Sequence, residues 1–241
     1  MWRLGRVLVA VVVAVVITAP AASAAPDREP ATLLGDLWER VLETPVPENP
    51  LAAGEPWCVD LDGVVAPFTL DPATPPACTV ETGTPIFVAA VTVECSTAEQ
   101  PPYYGRDEAE LRQCVRALDA AQGAITVSVD GEPVALTEVE TALLTLDLPE
   151  GNILGVPAQQ ALAVASGSVA LLDPLPPGTH EIVITGTDTV VGDFSNVTTI
   201  VVEPGRSSAA AWIPGHQRVV APVGERRLAP DPVILVGSLR R

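Results

Sequence analysis

The residues with the greatest potential for chemistry follow an apolar run, where Glu94, Cys95, Ser96 and Thr97 stand in a row. A cysteine nucleophile needs a histidine base within reach, and His180 is a candidate for that role. The chain has four cysteines, an even count, behind an N-terminal segment that resembles a secretory leader. In an exported chain such a count favours disulfides over catalysis or metal binding. We therefore expect Cys95 to be paired rather than to act as a nucleophile.

The four cysteines allow three disulfide connectivities, which spacing alone does not separate. A helix predicted over residues 106–121 turns Cys114 toward the core through its apolar spacing. On the preceding strand, alternation puts Cys95 on an apolar face that we expect to be the core side. The residues of that face are Phe87, Ala89, Val91, Val93 and Cys95. The sequence therefore predicts the disulfide Cys95–Cys114, which leaves Cys58–Cys78.

The first 24 residues have the three parts of a secretory signal peptide. Arg3 and Arg6 form a basic start, residues 7–17 are apolar throughout, and residues 22–24 (Ala-Ser-Ala) are typical of a cleavage site. The apolar run is shorter than the roughly 17 to 25 residues that a membrane-spanning helix needs. We expect a cleaved leader rather than an uncleaved membrane anchor, with export to the cell envelope or the medium. No membrane span is expected in the mature chain.

The charge composition excludes several classes of function. The formal net charge is −17, and all thirteen basic residues are arginines. So acidic a chain does not suit a nucleic-acid backbone, which binds to basic patches. Walker-type phosphate loops, Schiff-base enzymes and Ser-Lys hydrolases each need a lysine. Because the histidines are limited to His180 and His216, a zinc site built from three histidines is not expected either.

Helical spacing and prolines divide the chain into segments. Within residues 25–54, an amphipathic helix is predicted over residues 32–43, and a proline-rich linker follows it. Strand patterns fill most of residues 55–203. Residues 204–241 carry six arginines and several prolines, and we expect them to form a flexible tail.

The strand patterns predict an all-β fold. Residues 86–93 are continuously apolar, which suits a central strand buried on both faces. An Asp-Gly pair at 130–131 and a Ser-Gly pair at 166–167 are each expected to form the turn of a hairpin. Many short strands separated by turns are typical of an antiparallel β-sandwich or jelly roll. We predict such a domain over residues 55–203, tied by two disulfides and interrupted by one helix.

Several short sequence motifs in this chain resemble those of one family of proteins. They are ECST at 94–97, YYGRDEAELRQC at 103–114, VDG at 129–131, LPEGNILGVP at 148–157 and LPPGTHEI at 175–182. Because these motifs follow one another in this order, residues 55–203 resemble a family of exported bacterial proteins that has no established activity. The resemblance implies an exported β-domain and no particular reaction. The tail after Glu203 lies outside it.

Four residues are candidates for ligand binding: Glu94, Tyr103, Tyr104 and Asn152. The adjacent tyrosines offer apolar faces with polar tips that suit a sugar or a peptide, or else they plug the neighbouring disulfide. Glu94, on the strand face opposite Cys95, is either a carboxylate perturbed in a cleft or a solvated strand end. Asn152 is interpreted first as a turn former and second as a ligand contact.

Two further sites have a structural and a functional interpretation. His180 begins a strand, and we expect it to fix a corner by bonding a backbone carbonyl, with a general base as the alternative. Asp60 and Asp62 resemble part of a calcium loop, but the third ligand and the closing glutamate of an EF-hand are missing. Ca²⁺ is therefore the one cofactor left open, and no metal ligand is assigned.

These patterns favour binding over catalysis. We expect an exported, non-enzymatic β-sandwich that binds a ligand or partner at the cell surface or outside the cell, because no catalytic constellation is complete. The alternatives are a carbohydrate-active hydrolase with a carboxylate pair and a structural component of the envelope. A cleft with Glu94 and a second carboxylate about 5 to 9.5 Å away would favour the hydrolase.

Overall fold

The computed structural model describes residues 28–71, 73–188 and 192–205. The predicted signal peptide and almost all of the predicted tail lie outside these residues. Two helices, α1 (Pro30–Glu43) and α2 (Glu108–Asp119), accompany eleven strands in the described part of the chain. The strands are β1 (Trp57–Asp60), β2 (Val65–Phe68), β3 (Ala77–Glu81), β4 (Ile86–Ser96), β5 (Gln122–Val129), β6 (Glu132–Val134), β7 (Thr137–Glu140), β8 (Leu144–Leu148), β9 (Gln159–Leu172), β10 (Gly178–Asp188) and β11 (Gly192–Glu203). None of the described helices is long and apolar enough to cross a membrane.

The strands form two sheets that bury their apolar faces against each other. The first sheet has the order β1-β2-β4-β9-β7, with β8 also paired to β9. The second sheet has the order β3-β11-β10-β5-β6. The buried residues between the sheets are Cys78, Val80, Ile86, Val88, Val127, Ala170, Ile182, Ile200 and Val202. The predicted β-sandwich is confirmed.

Two of the strand pairings are parallel. β2 runs parallel to β4, and β3 runs parallel to β11. After β2 the chain crosses to the second sheet as β3 and returns to the first sheet as β4, so no hairpin joins β2 to β4. A hairpin joins antiparallel strands, whereas parallel strands need a crossover connection of this kind. These two pairings are the exceptions to the predicted antiparallel order.

Helix α1 covers the outer face of the first sheet, because its apolar residues recur at helical spacing. Pro30 lies in the first turn, where no N–H is needed, and Pro45 stands just beyond the end of the helix. The buried residues of α1 are Leu33, Leu34, Gly35, Leu37, Trp38, Val41 and Leu42. Trp38 meets Phe68 of β2 edge to face, with ring centroids 5.6 Å apart. The predicted helix over 32–43 is confirmed, and it belongs to the core of the domain.

A β-bulge at Ala90 reverses the two faces of β4. The register against β9 shifts between Ala89 and Val91, so Ala90 has no opposite residue. Phe87 packs with α1, whereas Cys95 packs with α2 on the opposite face. The prediction that the odd-numbered residues from Phe87 to Cys95 share one face is wrong, because one extra residue inverts the alternation.

Both predicted disulfides are present. Cys58–Cys78 joins β1 to β3, which are edge strands of the two sheets, with Cα atoms 5.7 Å apart. Cys95–Cys114 joins β4 to α2, with Cα atoms 6.3 Å apart. The described residues include no free cysteine, so Cys95 is not a nucleophile. Two disulfides are typical of a protein in an oxidising, extracellular environment.

The Asp-Gly pair at 130–131 forms the predicted hairpin between β5 and β6. Asp130 and Gly131 have φ angles of 52° and 86°. Two successive positive φ angles give the tight turn that matches the twist of paired strands, and aspartate and glycine tolerate such angles well. The prediction of this hairpin is confirmed.

The hairpin predicted at Ser166 and Gly167 is wrong. Both residues lie inside β9, which runs unbroken as Gln159–Leu172. Gly167 stands beside the bulge of β4, where a Cβ atom would lie 2.3 Å from the carbonyl oxygen of Val91. A glycine among apolar residues marks either a turn or a close backbone approach, and here it allows the approach.

We expect Gly167→Ala to destabilise the protein. The added methyl group meets the β4 backbone, which must shift at the bulge, and such overpacking costs about 1–3 kcal/mol. For a domain of this size each kcal/mol lowers the Tm by about 2–4 °C. Thermal unfolding followed by circular dichroism, with the disulfides intact, measures the change. Gly205→Ala is the matched control, since the nearest atoms lie 3.9 Å from its Cβ position; equal Tm values for both variants would contradict the close approach.

Candidate functional site

A cleft of about 390 Å³ opens beside β4. The ladder between β2 and β4 contains one register pair, Val65 and Ile86. Pro67 has no N–H with which to extend this ladder, and the chain leaves toward β3 after Phe68. The second half of β4 therefore borders open space instead of another strand.

The walls of the cleft are mainly apolar. They come from α1, β2 and the loop after it, β4 and the loop after it, the C-terminal end of α2, the start of β5, and β10 and β11 of the second sheet. The largest apolar and aromatic side chains among them are Trp38, Phe68, Leu70, Tyr103, Leu118, Ile184 and Phe194. None of the described residues that line the cleft carries a charge. A concave apolar surface with a few polar atoms is the usual composition of a ligand site.

The backbone of β4 has unpaired groups on the side where β2 has ended; Thr92 lines the cleft there, and Glu94 lies just beyond the lining. The N–H of Ser96 donates to the carbonyl oxygen of Tyr103 at 3.0 Å, and the Ser96 carbonyl accepts from the N–H of Gly105 at 3.4 Å. The N–H and C=O groups of every second residue point to the same side of a strand. Those of Thr92 and Glu94 therefore point to the same side as those of Ser96. No described residue bonds to them there. The N–H and C=O groups of Thr92 and Glu94 are called the free edge below.

Three buried side-chain atoms of the described residues have no hydrogen-bond partner: Trp38 Nε1, Thr92 Oγ1 and Glu94 Oε1. Thr92 and Glu94 share the face of β4 that α1 covers, and Trp38 belongs to α1, so the three atoms lie in one layer. Buried polar atoms are nearly always paired. Trp38 and Thr92 also line the cleft. Their two unpaired atoms suit a polar group of a ligand.

Glu94 forms a buried carboxyl pair with Glu99. Glu94 is only 5% exposed. Burial raises the pKa of Glu94 well above its usual value, and the charge of Glu99 and a hydrogen bond with it raise the pKa further. Burial also raises the pKa of Glu99, although hydrogen bonds with Glu94 and Ser96 act in the opposite direction. Two carboxyls in such contact share a proton, because both cannot ionise at short range. The interpretation of Glu94 as a solvated strand end is wrong.

This carboxyl pair lacks the geometry of a glycoside hydrolase. The two carboxylates of such enzymes stand about 5 to 9.5 Å apart, which leaves room for the sugar bond or a water molecule. Glu94 and Glu99 are instead in hydrogen-bonding contact, and neither lines the cleft. The pair can hold one proton and can donate or accept a hydrogen bond.

The loop after β4 brings Tyr103 into the cleft and leaves Tyr104 outside its lining. The two residues are 45% and 40% exposed, too much for a plug over the Cys95–Cys114 disulfide. The loop contacts this disulfide through its backbone, since the carbonyl oxygen of Pro102 lies 3.2 Å from Cys114 Sγ. Of the two tyrosines, Tyr103 is the one placed to contact a ligand in the cleft.

Asn152 has a structural role. Its side-chain amide donates to the carbonyl oxygens of Pro149 and Val156, both at 2.7 Å. Its Oδ1 accepts from the N–H of Val156 at 3.3 Å. The residue is buried and does not line the cleft. The interpretation as a turn former is confirmed, and no polar atom of Asn152 is left for a ligand.

His180 fixes a corner of the second sheet. Its Nε2 bonds the carbonyl oxygen of Pro176 at 2.8 Å, and its Nδ1 bonds Asp130 Oδ2 at 2.7 Å. The N–H of Glu181 donates to the other oxygen of Asp130 at 2.9 Å. The hydrogen bond with Asp130 and the one with Pro176 raise the pKa of His180. Both ring nitrogens are engaged, so the structural interpretation of His180 is confirmed over that of a general base.

The two aspartates of the calcium-like loop are engaged locally. Asp60 Oδ1 accepts from the N–H of Gly63 at 2.9 Å. Asp62 lies 3.5 Å from the guanidinium of Arg28. In the described ranges, no three His, Cys, Asp or Glu side chains stand close enough together to hold a metal ion.

Comparisons with known proteins give no family for the chain. No family model matches the sequence, and no curated protein matches it. Among solved structures, the solution structure of amebosin is similar at 11% identity, over 53% of this chain and 88% of that one, with a TM-score of 0.19. So low a TM-score carries no structural argument.

Sequence reasoning named Tyr103, which lines the cleft, but missed most of the other lining residues. Trp38 belongs to the amphipathic helix that is predicted ahead of the β-domain, and no signal in the sequence points to Phe194 or Ile184 as cleft residues. One signal was available. Pro67 lies inside a predicted strand region, and a proline there indicates that a ladder ends.

We expect Glu94→Gln to stabilise the protein at neutral pH. The folded state raises the pKa of Glu94 above the usual 4.5, so the stability linked to this carboxyl is present below about pH 4.5 and is lost as the pH rises through the folded-state pKa. Glutamine does not ionise, and its amide can donate to Glu99. The Tm should rise at pH 7 by about 2–8 °C, which corresponds to about 1–2 kcal/mol, and hardly at all at pH 4.

Glu140→Gln is a control for which we expect the opposite change in Tm at pH 7. Burial opposes the ionisation of Glu140, but hydrogen bonds from Arg116 and Arg112 outweigh it and lower its pKa. The stability linked to Glu140 is therefore present above its unfolded pKa and is lost as the pH falls. This variant should lower the Tm at pH 7. Thermal unfolding between pH 4 and pH 8 measures both variants, and a lower Tm for Glu94→Gln at pH 7 would disprove the buried pair.

Proposed function

We propose that this chain is an exported, non-enzymatic binding protein whose ligand site is the cleft beside β4. One observation carries the proposal. The apolar cleft of about 390 Å³ adjoins two buried polar atoms, Trp38 Nε1 and Thr92 Oγ1, that have no partner in the described part of the chain. A ligand that enters the cleft can cover the apolar walls and satisfy these atoms at once.

The cleft sets the chemistry of the ligand. Trp38 Nε1 can only donate a hydrogen bond, so the ligand must offer an acceptor there. The hydroxyl of Thr92 can donate or accept. The lining residues carry no charge, so the inserted part of the ligand is neutral and largely apolar, because a buried unpaired charge is costly.

The predicted export of the chain supports a function outside the cell. The predicted signal peptide over residues 1–24 and the two disulfides agree with this location. The resemblance of residues 55–203 to a family of exported bacterial proteins supports the same location and adds no reaction.

The neutral apolar dye Nile red tests the cleft as a binding site. We expect saturable binding at one site of the secreted, oxidised protein, with a rise in dye fluorescence. Tyr103→Ala should weaken binding about fivefold, because an aromatic contact contributes about 1 kcal/mol. Tyr104→Ala is the matched control, since Tyr104 is similarly exposed but lies outside the lining, and its affinity should stay within twofold.

Two results would contradict the proposal: no saturable binding, or equal loss in both tyrosine variants. A protein with a purely structural role in the envelope would show the first result. Parallel thermal-shift measurements with glycans and peptides extend the test to polar ligands. A ligand whose stabilising effect disappears in Tyr103→Ala would support the same site.

A further inference from the structure

We propose that the free edge of β4 takes up an extended segment of a cationic partner protein, which adds to the first sheet as a strand within the cleft. This inference rests on the proposed function, because it names what the cleft holds.

The first sheet has a gap of the right length beside β4. β2 ends at Phe68, and the next pairing on this edge is that of Ser96 with Tyr104. The residues of β4 between them, 90–95, span roughly 20 Å at about 3.3 Å per residue. An added segment of about four to six residues fills this gap. The free edge offers it two N–H and two C=O groups, which is how extended peptides are bound by strand addition.

The cleft has walls on both faces of the first sheet at this edge. Trp38 and Phe68 belong to the layer beneath α1. Ile184 and Phe194 belong to β10 and β11 of the second sheet. Successive side chains of a strand point to opposite faces. A single extended chain with apolar residues therefore reaches both walls, whereas a compact ligand on one face reaches only one of them.

The unpaired side-chain atoms lie where such a strand needs polar contacts. Thr92 belongs to the free edge itself, and its Oγ1 and the Nε1 of Trp38 are both buried without a partner. A serine, threonine or asparagine of the added strand can bond to either atom. The site is thus specific for a mixed sequence instead of a uniformly apolar one.

Charge selects a cationic partner. Residues 28–205 contain 27 aspartates and glutamates but only five arginines. Four of these arginines already pair with carboxylates: Arg28, Arg106, Arg112 and Arg116. Because the cleft lining is uncharged, we expect the partner segment to be apolar at its centre and flanked by lysine or arginine. The same region, residues 28–205, of a second copy carries the same excess of negative charge and is repelled.

A displayed library of random octapeptides, flanked on each side by two arginines, tests the inference with the full-length oxidised protein. We expect enrichment of peptides that alternate apolar and small polar residues. Hydrogen exchange of the protein with a resynthesised peptide should slow at the amides of Thr92 and Glu94 by tenfold or more. N-methylation of the peptide amides that face β4 should weaken binding at least tenfold, and methylation of the intervening amides less than threefold.

Leu70→Arg and Val46→Arg form a matched pair of variants. Both residues are exposed apolar side chains, 54% and 45% exposed, but only Leu70 lines the cleft. Leu70→Arg should weaken peptide binding at least tenfold, and Val46→Arg less than twofold. Both variants add one positive charge to the protein. The comparison between them therefore does not depend on the long-range electrostatic interaction with the arginine-flanked peptides.

The other outcomes separate the two proposals. Peptides that bind in a Leu70-dependent way, without protection of Thr92 and Glu94 and without sensitivity to N-methylation, would overturn strand addition and leave the cleft as a binding site. Binding that is equal in both arginine variants would overturn strand addition in the cleft, and the dye measurement would then decide the proposed function by itself. No enrichment of any peptide would overturn strand addition alone, since the dye measurement stands apart. A dimer with concentration-dependent protection of the free edge would assign it to a second copy and overturn the cationic partner.

Discussion

Where β4 and β9 meet, the carbonyl oxygen of Val91 approaches Gly167 so closely that a side chain at position 167 does not fit. This contact holds the bulge at Ala90 in place, and the bulge sets the direction of every later residue of β4. It turns Cys95 toward α2, where the disulfide with Cys114 forms. It also turns the backbone groups of alternate residues to the side where β2 has ended.

The same inversion explains the polar layer under α1. Without the extra residue, Thr92 and Glu94 would face the opposite side of the sheet. With it, they enter a layer built from leucines and Trp38, where the charge of Glu94 is poorly solvated. The burial of these polar groups costs stability, and the apolar face of α1 and two disulfides offset it. Unpaired polar groups that persist in a well-packed domain are a common feature of binding sites.

The sequence predicted the local elements and the covalent framework better than the site. Both helices, the Asp130-Gly131 turn and the two disulfides follow from short-range patterns, which depend on neighbouring residues. The bulge and the meaning of Gly167 depend on a strand more than seventy residues away, and no local pattern reports that distance. The cleft depends on where β2 ends beside β4 and on residues from both sheets, so in the sequence Phe194 and Ile184 look like ordinary core residues. Tyr103 could be predicted as a candidate, but only the structure separates it from Tyr104.

The disulfide between Cys58 and Cys78 has a consequence for the mouth of the cleft. Cys58 lies opposite Pro67 in the pairing of β1 with β2, and Cys78 stands two residues after Pro76, so the bond closes the base of the segment that carries Leu70. A rim anchored at both ends cannot spread far when the site is empty. The cleft is therefore preorganised, and the strand proposed to bind there would lose its own conformational entropy without ordering the receptor as well.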